Sequence, residues 1–100
     1  MITTAYENNA LTIKLDSAIN NINADAVKEE IAQLVNRYKA DEVIFDAQDL
    51  SYISSAGLRI FWQFFQQNAI HFCICNVLPQ VYDLFVITRF NEIIDVRCAG

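Results

Sequence analysis

Two glycines, one proline and one histidine serve the whole 100-residue chain. With so little glycine there is no Gly-rich loop to cradle a nucleotide phosphate, and no P-loop lysine follows one. The lone histidine, His71, leaves metal and hydrolase chemistry short of partners. A His-x-Cys-x-Cys zinc site through His71, Cys73 and Cys75 would crowd its ligands along one strand, which is poor geometry for a tetrahedral ion. Three cysteines are an odd number without disulfide-framework spacing. Cys73 and Cys75 read as small, mostly buried residues on one face of a strand. Positive charge is also scarce. Seven Lys and Arg face twelve Asp and Glu, for a net charge of -5, and no basic stripe forms, so a nucleic-acid partner is not expected. No apolar run reaches the ~20 residues needed to cross a bilayer. The opening MITTAYENNA lacks the features of a signal peptide. The expectation is a cytoplasmic protein with no membrane insertion.

What the chain does have is a large apolar fraction, 54%, enough for one packed core and too high for disorder. Its length suits a single domain spanning residues 1–100. Residues Ile2 to Tyr6 form a candidate strand. Glu7-Asn8-Asn9-Ala10 is a candidate turn, because Asn tolerates left-handed backbone angles. Leu11, Ile13 and Leu15 alternate with Thr12 and Lys14, the period of a half-buried strand, completing an opening hairpin.

The period changes over residues 24 to 39. Val27, Ile31, Leu34, Val35 and Tyr38 recur at helical spacing opposite Lys28, Glu29, Glu30, Gln33 and Arg37, with Asn23 placed as N-cap. Glu42 to Asp46 follows as a strand without clean alternation, expected to be buried on both faces. A second helix runs from about Ala56 to Asn68, with Leu58, Phe61, Phe64 and Phe65 inward. Ile70 to Val77 is the next strand. Pro79 opens a third helix with Val81, Leu84, Phe85 and Thr88 inward. A short strand from Ile93 to Arg97 closes the chain. This order predicts an α/β domain: a mixed sheet of four or five strands packed with helices, a β-hairpin followed by βα units joined by right-handed crossovers.

Chemistry in such sheets gathers beyond the carboxyl ends of the strands. There the chain reads DLSYISSAGLRI, residues 49–60, with Asp46 closing a central strand and Ser54-Ser55 entering the second helix. A helix start offers free N–H groups and partial positive charge, so it tolerates a phosphate. The pair is a cap, a nucleophile or a phosphate acceptor. The nucleophile reading fails on partners: His71 stands at the start of its strand, expected at the far end of the sheet, and the Gly-x-Ser-x-Gly turn is absent. Gly57 removes bulk beside the serines, which would allow a close approach.

The stretch VIFDAQDLSYISSAGLRIF, residues 43–61, resembles the signature of the STAS domain family, and within it the anti-sigma factor antagonists. The likeness runs through Asp46, Leu50 and Ser54-Ser55-Ala56-Gly57-Leu58, and the hairpin, first helix and VYDLFVITRFNEIIDV fall where that family has matching elements. The resemblance implies a non-enzymatic binding module without cofactor or metal. Its unphosphorylated form binds an anti-sigma factor that is also an ATP-dependent serine kinase, which frees the sigma factor. Phosphorylation dissolves the complex, and a PP2C-type serine phosphatase restores the active form. Aligned on Gly57 and Leu58, the acceptor corresponds to Ser55, with Ser54 as the alternative.

Three stretches depart from the family pattern. Ser54 stands where many members carry Asp, Leu15 to Asn20 lacks a Gly-Arg pair, and Arg89 replaces a glycine before Phe90. The expected partner surface is Asp46, Ser54, Gly57, Leu58, Arg59 and Trp62. Asp46 would orient a serine hydroxyl, help hold a metal on the kinase side, or bond to the loop backbone. Arg59 would meet a phosphate on Ser55 or an acidic group on the kinase. Trp62 would anchor a partner or pack on a neighbouring helix edge. Two other functions compete: a STAS subunit of a membrane lipid-transport ATPase, not regulated by phosphate, and a small enzyme or ligand-binding domain using the same loop.

Overall fold

The computed structural model describes residues 3–67, 71–92 and 95–98. Strand β1 (Thr3–Glu7) turns directly into β2 (Ala10–Lys14), its antiparallel partner. The turn residues Asn8 and Asn9 carry φ of 54° and 64°, the two left-handed positions of a tight hairpin turn that favours Asn. The chain then alternates: α1 (Ala24–Tyr38), β4 (Glu42–Asp46), α2 (Ser55–Gln67), β6 (His71–Val77), α3 (Pro79–Ile87), a 3-10 turn (Phe90–Glu92) and β7 (Asp95–Cys98). Two short strands complete the numbering, β3 (Ala18–Ile19) and β5 (Tyr52–Ile53).

The main sheet has the order β1-β2-β4-β6-β7, parallel throughout except for the opening hairpin. This is the expected α/β architecture with five strands. Leu11 pairs with Val43 and Val43 with Phe72; Ile13 pairs with Phe45 and Phe45 with Ile74. All six side chains therefore share one face, and each is at most 5% exposed. Val27, Ile31 and Val35 of α1, Ile60, Phe61 and Phe64 of α2, and Val81 and Phe85 of α3 close a single cluster with them. Phe45 is the hub of its aromatic part, edge-on to Phe61 and stacked on Phe72.

Several expectations need correction. Strand β4 does alternate: Val43 and Phe45 are buried while Glu42, Ile44 and Asp46 are half-exposed, because the core closes on one sheet face. Asn23 stands at the α1 cap position, but its side chain does not cap the helix. Its Oδ1 accepts from Asn20 N–H and its Nδ2 donates to the Ala18 carbonyl, so it ties the preceding loop instead. On α3, Leu84 and Thr88 are exposed; the nine-residue helix buries Val81 and Phe85 and packs Tyr82 partly against the core. The Thr88 hydroxyl donates back to the Leu84 carbonyl at 2.8 Å. On α2, Ile60 turns inward and Leu58 is only partly covered. The expected element ends at Ile2, Asn68, Ile70 and Ile93, and the Phe65 side chain, lie outside the described residues. Among the described residues no helix is long and apolar enough to cross a membrane.

Candidate functional site

Beyond the carboxyl ends of β2 and β4 the chain makes two loops that meet. Strand β3 pairs with β5, Ala18 opposite Tyr52 and Ile19 opposite Ile53. The Ser17 carbonyl accepts from both the N–H and the hydroxyl of Ser51, at 2.8 and 3.1 Å. The Ile19 carbonyl accepts from Ser54 N–H at 2.8 Å. Ile19 and Ile53 are nearly buried, and the first turn of α2 rests on them. These two-residue strands were not visible in the sequence, since a pair of residues is too short to display a period. Ile19 and Ile53 stand among other apolar loop residues such as Leu15 and Leu50, so nothing in the sequence singled them out.

Gly57 explains how the helix comes so close. A Cβ there would lie 2.7 Å from Ile53 Cγ1 and 2.8 Å from Ile19 Cγ2, distances that real Cβ atoms do not tolerate. The close approach that Gly57 permits is thus to this chain's own β3–β5 platform, and Gly57 is buried by it.

The two serines have different positions. Ser54 is 8% exposed and precedes α2. Its Oγ accepts from Gly57 N–H at 3.2 Å and its carbonyl from Leu58 N–H at 3.0 Å, the pattern of an N-cap. Ser55 is the first helical residue and is exposed. Among the described residues its hydroxyl has no hydrogen-bond partner. Ser55 is therefore accessible without unwinding the helix, whereas Ser54 is committed to holding it.

Ser55 lines an open groove of about 460 Å³, with Leu58, Arg59 and Trp62 on the α2 side and Thr88 and Phe90 on the other. The second wall was missed in the sequence because it comes from the turn after α3, whose approach to α2 is tertiary. Trp62 is 36% exposed, so it packs in the groove and still offers a face to solvent. Arg59 is exposed on the groove's rim. Asp46 bonds to its own loop and to β6. Its Oδ1 accepts from Gln48 N–H at 3.0 Å and from Asn76 Nδ2 at 3.2 Å, so it braces its own loop against the end of β6. Behind it, Cys75 is paired in register with Asp46. Burial, reinforced by the Asp46 carboxylate, pushes the Cys75 thiol up from its ordinary range. His71 sits at the opposite end of the sheet, 3.7 Å from Glu42, far from any role as a base for the serines.

The chain is thus a small α/β domain that presents one exposed serine at a braced helix start, beside an apolar groove. Residues 1–98 match the STAS domain family. The chain is 32% identical over 85 residues to the Bordetella bronchiseptica protein named "Putative anti-sigma factor antagonist BtrV", covering 82% of this chain and 72% of that one. The fold superposes on an anti-sigma factor antagonist from Mycobacterium paratuberculosis with a TM-score of 0.87 at 12% identity, covering 97% of this chain and 84% of the other. It superposes on the unphosphorylated form of the anti-sigma factor antagonist SpoIIAA with a TM-score of 0.74 at 13% identity, covering 96% and 87%. The chain belongs to the STAS domain family, among its anti-sigma factor antagonists.

Proposed function

We propose that the unphosphorylated chain binds an anti-sigma factor that is also a serine kinase, which frees the sigma factor, and that phosphorylation of Ser55 ends the binding. The observation that carries this reading is the division between the serines: Ser54 is the buried cap, Ser55 the exposed residue at the groove. In the transfer step Ser55 Oγ attacks the γ-phosphorus of ATP held by the kinase. The new O–P bond forms as the bond to the β-phosphate oxygen breaks; ADP leaves, and the hydroxyl proton passes to a base of the kinase. This chain supplies only the acceptor. A phosphoserine brings roughly -1.5 to -2 charge at neutral pH. At the first helical position that charge meets the positive end of the helix and leaves the fold intact. A partner seated in the groove would have to desolvate it, which opposes rebinding. A PP2C-type serine phosphatase hydrolyses the ester and restores the binding form. Supporting this reading, SpoIIAA, which shares the fold, has been solved in a phosphorylated as well as an unphosphorylated form.

The test is intact-mass spectrometry of the protein incubated with ATP and an anti-sigma factor serine kinase, with fragmentation across residues 49–63. One phosphate on Ser55, lost in Ser55→Ala while binding persists, is the expected result. An unmodified chain that instead binds a transporter subunit tightly would replace this reading with that of a lipid-transport ATPase subunit.

A further inference from the structure

We propose that Arg59 is the phosphate clamp of this switch, an inference that rests on Ser55 being the acceptor. In the unphosphorylated chain its guanidinium stands at the groove rim, open to a carboxylate of the partner. In the phosphorylated chain it turns onto the phosphate of its own helix. Phosphorylation then acts twice: it adds negative charge and withdraws the cation that a partner would use.

Three observations lead there. Ser55 and Arg59 are separated by one helical turn, the spacing at which side chains on a helix surface meet. Helical side chains lean toward the amino end, which carries the Arg59 head back toward Ser55. Both residues are exposed and line the same groove, whose other walls, Leu58, Trp62, Thr88 and Phe90, hold no charge to compete. Arg59 is also uncommitted: among the described residues it makes no ion pair. On its other side, Asp25 and Lys28 of α1 line a neighbouring notch with it. A cation so close to a helix start is opposed by the helix dipole until an anion arrives there. The planar guanidinium fork suits two phosphate oxygens at once, which an ammonium does not.

The test needs no kinase. Phosphoserine is installed at position 55 during synthesis, and the second ionisation of the phosphate is followed by 31P NMR in the whole domain and in Arg59→Gln. A clamp holds the dianion, so the unaltered chain should ionise lower than Arg59→Gln by about 0.15–0.4 pH units, the effect of an exposed ion pair of this spacing. The gap should shrink in molar salt, where screening reaches ~3 Å, and Arg59→Lys should recover only part of it. Identical titrations in the unaltered chain and Arg59→Gln would overturn the proposal. Failure of the kinase to label Ser55 is a separate result that removes the switch and leaves this measurement standing.

Discussion

Ser54 Oγ accepts the Gly57 N–H at 3.2 Å, and this one bond separates the roles of two adjacent serines. It commits Ser54 to the helix and leaves Ser55 exposed. Replacing Ser54 by Ala should therefore cost about 1 kcal/mol of stability, the usual value of a lost N-cap. Urea unfolding reads this directly. The same variant should still be phosphorylated at Ser55. Loss of labelling with the fold intact would move the acceptor to Ser54.

Gly57→Ala tests the platform beneath the helix. Alanine is favoured over glycine in a helix by about 0.5–1 kcal/mol. Here its methyl group would press on Ile19 and Ile53 at under 3 Å. Overpacking of that kind costs typically about 1–3 kcal/mol, so a net loss of stability is expected. A variant as stable as the parent in chemical denaturation would mean that the first turn of α2 can lift off β3 and β5 at little cost.

Trp62 separates binding from folding. It is 36% exposed, so truncation to Ala should affect folding less than loss of a buried Phe61. Partner affinity should fall about tenfold or more if the groove is the contact, as buried aromatic anchors commonly do. Titration calorimetry with the anti-sigma factor and a parallel unfolding curve distinguish the two effects. Unchanged affinity would place the contact elsewhere.

Ser55→Asp should weaken the complex, though less than phosphoserine, since a carboxylate carries a single charge. Ser55→Ala should bind like the parent. Equal affinity for the Asp and Ala variants in the same binding assay would argue against an electrostatic switch.

The Cys75 thiol is held protonated by burial first and by Asp46 second. Its pKa in the folded chain is above the unfolded value. The folded state thus gains stability that is whole below the ordinary thiol range, ~8.5, and is lost as pH climbs through the raised value. At mildly alkaline pH, iodoacetamide should alkylate Cys75 more slowly in the folded chain than in the unfolded one, as peptide mapping would show. Asp46→Asn should speed the reaction by removing the second cause.

Much of this arrangement is legible in residue order. The Asn8-Asn9 turn, the alternation through Leu11 and Ile13, the stripe of Val27, Ile31 and Val35, and Pro79 at the start of α3 are local signals, each governed by backbone sterics or by a single period. The Ser54-Ser55-Ala56-Gly57-Leu58 motif carried the family with it. Expectations failed where burial depends on a distant neighbour. Ile44 looked buried because it is apolar, yet it lies on the sheet face opposite the core. Leu84 and Thr88 continued an apparent helical stripe, but the short α3 buries only Val81 and Phe85, with Tyr82 partly covered beside them.

The α/β order, the opening hairpin and the placing of two serines at a helix start follow from period and turn chemistry within a few residues. Tertiary packing sets which serine is the cap, how little room a side chain has at position 57, and the approach of Phe90 to Trp62's groove from a separate segment. Those outcomes depend on contacts between Ile19, Ile53 and α2, and between α2 and the turn after α3. The Ser54 cap and the Ile53 contact span only a few residues, but the approach of Ile19 and of the turn after α3 to α2 joins residues far apart in the chain and leaves no period in it.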